Sequence, residues 1–431
     1  MRTLVLAGVT GLASLLFLLL ATGDATEPAV AGETPDSETI VGGPFEATEL
    51  DVDLSTLPIA EPWQPGDPIY EAPRGDLPPG GSGGQAGAGS GSEATSPDSQ
   101  LAPRTVTPPQ FSTATPNFDG IAFTGSTPPD TVGDVGPNHY IQMVNSRFQI
   151  FDKLGTSLAG PTNINQPWVA AGLNNTCAQR NDGDPVVLYD HLADRWMISQ
   201  FAVPNGFATP PTFQCIAISR TPNPVTGGWY LYEFQFTFGH DYPKMAVWPD
   251  AYYLSSQRGY PGGSLNAVAF DRANMLNGNP ATFQAKSTGG PAITFLPGDL
   301  DGPPPPFGTP NFFARHFDGA IWGGGDRVEV WAFSVDWGNP VNTSFTLMNS
   351  LATAAFDAGF CSPGSLFDTC IPQPGAQNLD IIPNWPMWRL QYRNFGTHEA
   401  MVFNHTVDVD GSPHAGVRWY ELRRTPVGAA A

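Results

Sequence analysis

Basic residues are scarce in this chain. Its 431 residues include 19 Lys and Arg against 40 Asp and Glu, which gives a formal net charge of −21 at pH 7. Such a negative field repels phosphate backbones, so the composition argues against nucleic acid as a partner. The same field attracts divalent cations and cationic ligands, and it favours solubility.

Cysteine is also rare, since only Cys177, Cys215, Cys361 and Cys370 are present. Their spacings lack the close pairs of a zinc site, and an even number in an exported chain predicts disulfide pairing. Four cysteines allow three connectivities. The two shortest loops would join Cys177 to Cys215 and Cys361 to Cys370.

Beyond its N-terminus the chain has no apolar run long enough to cross a bilayer. At the N-terminus, Arg2 precedes an apolar stretch over residues 4–20, and small residues follow at 23–25. This order is typical of a signal peptide, so we expect residues 1–25 to be cleaved from a secreted, extracellular protein without a membrane span. The alternative is an uncleaved membrane anchor. No cysteine follows the apolar stretch to carry a lipid.

The segment 26–110 has few apolar side chains that could build a core. Residues 27–71 carry eleven acidic side chains and no Lys or Arg, and residues 77–100 consist mainly of Gly, Ser and Pro. Such compositions cannot offset the entropy of ordering, so we expect a disordered linker. Short segments near Phe45 or Trp63 are expected to contact the folded domain.

From residue 111 onward a unit recurs, in which an Asp-rich turn opens a strand and a hairpin ending in aromatic residues follows. The clearest copies begin at GDPVVLYD (183–190), DYPKMAVW (241–248) and HEAMVFNH (398–405). Each unit predicts a small antiparallel sheet that cannot bury both faces alone, and sheets of this kind stack into a β-propeller. We therefore expect residues 111–431 to form an all-β propeller of five or six blades.

The last of these units ends after three strands, at RWYELRR (418–424). A propeller closes its ring by pairing strands from both ends of the chain. Either the segment 111–123 supplies the missing strand, or the chain is truncated at its C-terminus and its last blade is incomplete. We favour truncation.

Common catalytic signatures are missing: no GxSxG elbow lies outside the linker, and HExxH, P-loop and dinucleotide-binding glycine motifs do not occur. Acidic residues instead stand near the start of the expected inner strands, where Asp134, Asp184, Asp241 and Glu399 would face one axial pocket. Clustered carboxylates drive each other's pKa values apart and supply an acid and a base, as glycoside hydrolysis requires.

We select Asp184, Asp241 and Glu399 as catalytic candidates, with Lys244 or Arg393 binding a charged group of the substrate. The alternative is structural. An Asp before Pro or in a Gly-rich turn caps its own loop by accepting hydrogen bonds from nearby backbone N–H groups.

A ring of carboxylates could also hold Ca²⁺, which takes several oxygen ligands from flexible loops. Asp182, Asp299 and Asp301 are the metal-binding candidates, although none stands in a complete calcium loop. In NWPMWRLQYRNF (384–395), aromatic residues alternate with arginine. Trp388 is the candidate substrate-binding platform for stacking on a sugar, and its alternative role is packing between blades.

The segments PPDTVGDVGPNHYIQMVN, NDGDPVVLYDHLADRW and DYPKMAVWPDAYYLS resemble a family of secreted bacterial proteins of expected β-propeller fold, over about 120–424. The resemblance implies the fold and export but no activity, and the family's longer members continue with another blade. A distant likeness to sialidase-type propellers rests on ISRTPNPVTGGWYLY (218–232). Ser219, Gly228 and Trp229 match that motif, its Asp is missing, and no catalytic residue carries over.

Three functions agree with these features. A secreted module that binds an extracellular ligand or surface needs only rigid blades and variable loops, and we rank it first. A carbohydrate-active enzyme, a glycosidase or lyase acting on extracellular polysaccharide, would use the carboxylates and the aromatic residues. A structural module at the cell surface, carried on the acidic stalk, is the third.

Overall fold

Frequent Pro and Gly, 45 and 48 residues, interrupt the apolar runs and favour short strands joined by turns. The computed structural model describes residues 38–71, 115–257, 265–288, 294–361, 369–375, 378–382, 385–412 and 414–425. This part of the chain is all-β, which confirms the predicted class. The predicted signal peptide and most of the predicted linker lie outside it.

Helices within these ranges are short. The α-helices are α1 (Gln166–Ala170), α2 (Thr176–Gln179), α3 (Arg272–Leu276) and α4 (Gly319–Trp322), and 3-10 turns occur at Leu54–Thr56 and Pro340–Asn342. In the described ranges no helix has the length and apolar character needed to span a bilayer.

Four short strands come first along the chain: β1 (Ile40–Phe45), β2 (Thr48–Leu50), β3 (Tyr70–Glu71) and β4 (Ser126–Thr127). The first sheet then follows as an antiparallel meander of β5 (Val132–Val135), β6 (His139–Val144), β7 (Arg147–Asp152) and β8 (Ser157–Asn163). Its β7–β8 turn is the predicted hairpin, because Asp152 accepts hydrogen bonds from the N–H groups of Leu154 and Thr156, each at 2.8 Å.

The second and third sheets repeat this order. The second contains β9 (Gly183–Asp190), β10 (Arg195–Ala202), β11 (Thr212–Ser219) and β12 (Trp229–Phe236). The third contains β13 (Asp241–Val247), β14 (Tyr252–Gln257), β15 (Leu265–Phe270) and β16 (Ala281–Thr288). All eight residues of β11 are buried, as expected for a strand whose sheet is covered on both faces.

The acidic segment 38–71 is ordered, contrary to the disorder predicted for it. Strand β1 pairs antiparallel with β16, and β2 pairs antiparallel with β12, so each completes one sheet as a fifth strand. The apolar side chains of Leu50 and Leu54 are buried there. The expected contacts are present, since the Phe45 ring lies 5.3 Å from that of Phe234 and the Trp63 ring 5.1 Å from that of Phe123. These few apolar residues suffice because they cover edges that the core sheets leave open.

The fourth sheet has seven strands and includes the unit expected to form a separate fifth blade. Its first half contains β17 (Leu296–Asp301), β18 (Asn311–Phe317), β19 (Arg327–Ser334) and β20 (Ser344–Ala352). Its second half contains β23 (Met387–Asn394), β24 (Glu399–Asp408) and β25 (Ala415–Arg424). Between the halves, β21 (Thr369–Ile371) and β22 (Leu379–Asp380) form a separate two-stranded sheet. Strands β17 and β23 pair in parallel and join the two halves.

Two disulfides are present, Cys177–Cys215 and Cys361–Cys370, which is the connectivity with the shortest loops. Three buried clusters of apolar side chains fill the spaces between the sheets. Consecutive sheets meet through their first strands, because β5 contacts β9, β9 contacts β13 and β13 contacts β17. The residues at the two ends of these first strands are therefore brought together.

Candidate functional site

Three aspartates meet where the first strands of the first three sheets begin. Asp130 lies two residues before β5, Asp184 is the second residue of β9, and Asp241 is the first residue of β13. Each side chain is partly exposed, although the strands that carry them are largely buried. Together with Tyr242 and Lys244 of β13, these residues form what we call the aspartate cluster.

Asn145, at the end of the β6 hairpin strand, fixes the first two carboxylates relative to each other. Its Nδ2 donates to Asp130 Oδ2 at 2.9 Å, and its Oδ1 accepts from the Asp184 N–H at 2.7 Å. A Cβ at Gly183 would lie 2.5 Å from Asn145 Oδ1, so only glycine lets the chain pass so closely. The Gly183-Asp184 pair of the NDGD sequence is therefore what allows the close contact with Asn145.

The backbone of the cluster is strained. Asp130, Asp184 and Tyr242 have φ values of 42°, 44° and 48°, in the left-handed region that non-glycine residues rarely adopt. Such a residue costs about 1–2 kcal/mol, and tyrosine lacks the short polar side chain that makes the conformation tolerable for aspartate. Among the residues that the structure describes, only Asp194 and Ile382 share this property. Strain of this kind concentrates at functional sites.

Asp184 and Asp241 hold protons more tightly than isolated carboxylates do. Burial is the main cause that raises the pKa of Asp184 well above its ordinary value, followed by the charge of Asp130. Burial also raises the pKa of Asp241 to about 6, against the Tyr242 N–H and the charge of Lys244. Burial and the three carboxylates raise the pKa of the Tyr242 phenol, which therefore stays a hydrogen-bond donor.

Lys244 is the cation of the cluster, and its side chain is only 7% exposed. Its ammonium lies 3.8 Å from the centre of the Tyr242 ring, whose other face stacks on Trp385 at 4.3 Å. The charge of Lys244 acts on Asp184 and Asp241, but the ammonium forms no direct ion pair with any carboxylate in the described ranges. The Lys244 side chain is therefore held largely between aromatic and carboxyl groups, with no direct carboxylate partner among the described residues.

The sequence-based candidates are thus only partly brought together. Asp184, Asp241 and Lys244 share one cluster, whereas Glu399 lies at the start of β24. There it is 2% exposed, accepts hydrogen bonds from Tyr392 and Arg424, and borders a different cavity of about 310 Å³ between the two halves of the fourth sheet. Glu399 therefore belongs to a different group of side chains from Asp184, with Tyr392 and Arg424 as its partners.

The other two substrate-binding candidates are also placed elsewhere. The Trp388 indole donates to the Met245 carbonyl oxygen at 3.1 Å and packs against apolar side chains of the core. This matches its alternative, structural role. Arg393 is exposed and lies over Phe395, with its guanidinium carbon 5.6 Å from the ring centre.

The metal-binding candidates do not converge either. Asp182 pairs with Arg180 at 2.8 Å and accepts from the Val203 N–H at 2.9 Å, far from the strand that carries Asp299 and Asp301. In the described part of the chain, no three His, Cys, Asp or Glu side chains are arranged to hold a metal ion. Instead of a metal ion, Asp182 and Asp299 each have an arginine as their partner.

Asp299 and Asp301 instead border a second polar region at the opposite ends of the first strands, the Arg389 cavity. It has a volume of about 390 Å³ and also includes Asp134 and His191. The Arg389 guanidinium pairs with Asp299 at 3.2 Å and with Asp134 at 3.3 Å. Burial raises the pKa of Asp299 to about 7, although Arg389 and the Val247 N–H oppose the shift.

Sequence reasoning missed four residues of the aspartate cluster and its surroundings: Asp130, Asn145, Tyr242 and Trp385. Asp134 was selected in the first sheet because it was placed at the start of the predicted inner strand, but the residue that lies with Asp184 and Asp241 is Asp130, in the preceding turn. The signal for it was present, since PPD and NDGD both place an Asp within two residues of the beginning of a strand. Trp385 differs from the selected Trp388 by three positions in the same motif.

Comparison with known proteins adds no assignment, because no family model and no curated protein matches this chain.

Proposed function

We propose that this protein is a secreted β-propeller-like module that binds a polyhydroxylated ligand, an extracellular carbohydrate, at the aspartate cluster. The observation that carries the proposal is the Lys244 side chain, which is 7% exposed, lies against the Tyr242 ring and forms no direct ion pair with Asp184 or Asp241. An alcohol hydroxyl can accept from the ammonium and donate to a carboxylate, and so can bridge groups that do not touch.

The donors and acceptors of the cluster suit a ligand with several hydroxyl groups. Three carboxylates, one phenol and one ammonium converge there, and the field of the whole chain is negative. An anionic polymer is therefore disfavoured, and a neutral sugar can use every group without adding charge. The Trp385–Tyr242 stack at the cluster supplies the apolar surface that pyranose rings contact.

The arrangement of the sheets supports the propeller-like part of the proposal. First strands of consecutive sheets lie side by side, their beginnings meet in the aspartate cluster and their ends border the Arg389 cavity. In propellers the innermost strands of the blades line a central channel in this way. Two disulfides and the N-terminal apolar stretch support export.

The binding test uses the purified protein and neutral hexasaccharides: cellohexaose, chitohexaose, xylohexaose and mannohexaose. Titration calorimetry and tryptophan fluorescence are expected to detect at least one of them with a Kd below about 1 mM, because a few bridged hydroxyls supply roughly 4 kcal/mol. Binding should be lost in Lys244→Met and weakened at least tenfold in Trp385→Ala.

Trp419→Ala is the matched control, because Trp419 lies on β25 with 65% of its side chain exposed and takes no part in the cluster. Its affinity should equal that of the unaltered protein. Equal affinity in the Lys244 variant, or binding of Ca²⁺ in place of any sugar, would overturn the proposal.

A further inference from the structure

We propose that two copies of this protein associate through strand β20, the outer strand of the fourth sheet, which pairs antiparallel with β20 of a second copy. The inference is independent of the proposed carbohydrate ligand. Strand β20 is separated by β18 and β19 from β17, the first strand of that sheet, and the aspartate cluster contains no residue of the fourth sheet.

The N-terminal segment covers the outer edges of the other three sheets. Strand β1 pairs with β16 of the third sheet, and β2 pairs with β12 of the second. Along β8 of the first sheet, the Ala60 N–H donates to the Pro161 carbonyl oxygen at 2.9 Å, and the Thr162 hydroxyl donates to the Pro58 carbonyl oxygen at 2.7 Å. Strand β20 holds the corresponding place in the fourth sheet, and in the described part of the chain no strand pairs with its outer edge.

The side chains of β20 show the same lack of cover. Six of its nine residues are exposed, among them Met348 at 42% and Leu351 at 39%. No residue is exposed on β16, which has the same position in the third sheet and is covered by β1. An uncovered edge leaves backbone donors and acceptors ready to pair with another strand. The difference between β16 and β20 therefore identifies an added antiparallel strand as the group that fits here.

Strand β20 also lacks the side chains that keep sheet edges from pairing. Its sequence, SFTLMNSLA, contains no charged residue and no proline. The opposite edge of the same sheet is β25, which carries Arg418, Glu421, Arg423 and Arg424. Charged side chains and proline are common means of protecting an edge, so the fourth sheet has one protected edge and one unprotected edge.

A second copy is the partner that suits this strand. The net charge of −21 keeps two chains apart over most of their surface, whereas the uncharged β20 edges can approach each other. Antiparallel pairing of identical strands is two-fold symmetric, so it covers both edges at once and adds no further copies. A charged strand would set like charges against each other in such a pair, and β20 has none.

The register follows from the bulge in the middle of β20. Leu347 pairs with Trp331 and Asn349 with Val330, so Met348 has no partner on β19, while the residues on either side of it pair regularly. We place the two-fold axis at Met348, the central residue of the strand. Thr346 of one copy then lies opposite Ser350 of the other.

The test is sedimentation equilibrium of the purified protein without ligand. At about 0.15 M NaCl we expect a reversible equilibrium of monomer and dimer with a Kd of about 10 μM, because one strand pair gives an interface at the small end of the specific range. Raising the salt to about 1 M shortens the Debye length from about 8 Å to about 3 Å. This should lower the Kd about threefold, since two chains of net charge −21 repel each other.

A charge exchange tests the strand and its direction. Thr346→Glu combined with Ser350→Glu sets carboxylates opposite each other across the axis and should raise the Kd at least about 100-fold. Lys at both positions should do the same. An equimolar mixture of the two variants should form a heterodimer with a Kd within about threefold of that of the unaltered protein, which a merely misfolded strand would not allow.

The matched control is Val417→Glu combined with Trp419→Glu on β25, where the two side chains are 73% and 65% exposed. It should keep the Kd of the unaltered protein. A protein that stays monomeric at about 100 μM in about 1 M NaCl would overturn the proposal. A dimer that persists with Glu at both β20 positions, or a mixture that forms no heterodimer, would overturn it as well. A dimer that binds no sugar would support this inference and remove only the proposed function.

Discussion

The two polar regions at the ends of the first strands are built from the same residue types and differ in how their charges are neutralised. In the Arg389 cavity, one guanidinium pairs directly with Asp134 and Asp299. In the aspartate cluster, the Lys244 ammonium rests on an aromatic ring and pairs directly with no described carboxylate. Both regions contain carboxyl groups whose pKa values burial raises, so the difference between them is the direct ion pair.

This difference agrees with a structural role for the Arg389 cavity and with the proposed ligand-binding role of the aspartate cluster. A planar guanidinium with five donors can satisfy two carboxylates at fixed positions and tie adjacent strands together. An ammonium held away from its carboxylates leaves acceptors and a donor unused. We infer that the ion pairs of Arg389 stabilise the contact between strand β5 of the first sheet and strands β17 and β23 of the fourth sheet. The aspartate cluster, by contrast, is open to the proposed ligand.

The largest expected effect comes from removing the cation of the Arg389 cavity. Arg389→Met leaves the buried Asp299 and the partly exposed Asp134 without their partner. Because Asp299, with a pKa of about 7, can take up a proton in the variant, we expect a loss near the lower end of the about 3–5 kcal/mol that breaking a buried ion pair costs. Denaturant unfolding at pH 7.5 should show this loss. The control Arg393→Met, at an exposed position near the end of the same strand, should change the stability by less than about 0.5 kcal/mol. Equal losses in both variants would remove the structural role assigned to Arg389.

In the aspartate cluster, the substitution Asp241→Asn is expected to increase the stability of the protein, by less than Arg389→Met decreases it. The folded protein raises the pKa of Asp241 to about 6 from an ordinary value of 3.8, so the folded state binds more protons than the unfolded state between these pH values. Its contribution to stability therefore falls as pH rises from about 4 to about 6. Asp241→Asn removes this penalty, and should stabilise the protein at pH 7 by about 1–2 kcal/mol and flatten the pH dependence.

Asp336→Asn is the matched control, because the same substitution is expected to change the stability in the opposite direction. Hydrogen bonds from the Asn342 side chain and the Asn339 N–H lower the pKa of Asp336, so its contribution is present at neutral pH and lost on acidification. This variant should lose stability at pH 7, measured by the same denaturant series. A stabilised Asp336 variant, or a destabilised Asp241 variant, would contradict the assigned charge states.

Much of the strand pattern could be predicted from the sequence, because turn residues and apolar runs act locally. The β7–β8 hairpin at Asp152 and the all-β class follow from such signals. The pairing of β1 with β16 could not be predicted, since Ile40 and Ala285 are remote in sequence and the acidic composition of the segment indicated disorder. The parallel pairing of β17 with β23 depends on tertiary contacts in the same way.

The aspartate cluster was predicted in half. Asp184, Asp241 and Lys244 were found because each stands next to a strand beginning with a recognisable turn. Asp130 was missed because the sequence pattern does not predict the first residue of β5 to within two positions. With that uncertainty, Asp130 and Asp134 were equally close to the expected beginning of the strand. Glu399 was wrongly grouped with them because its strand was assumed to occupy a blade of its own, whereas it borders the cavity inside the fourth sheet.

The smallest expected effect on stability is that of Lys244→Met, although this variant should lose the ligand. Its ammonium contributes an interaction with the Tyr242 ring worth about 0.5–1 kcal/mol, and methionine regains part of this by burying an apolar side chain. The net change should be below about 1 kcal/mol, several-fold less than for Arg389→Met. Because Lys244 lowers the pKa values of Asp184 and Asp241, both should rise in the variant, and carbon-13 titration of the Asp241 carboxyl should show a midpoint above 6. A loss as large as that of Arg389→Met would mean that the ammonium pairs directly with a carboxylate in solution, and the two regions would then share one role.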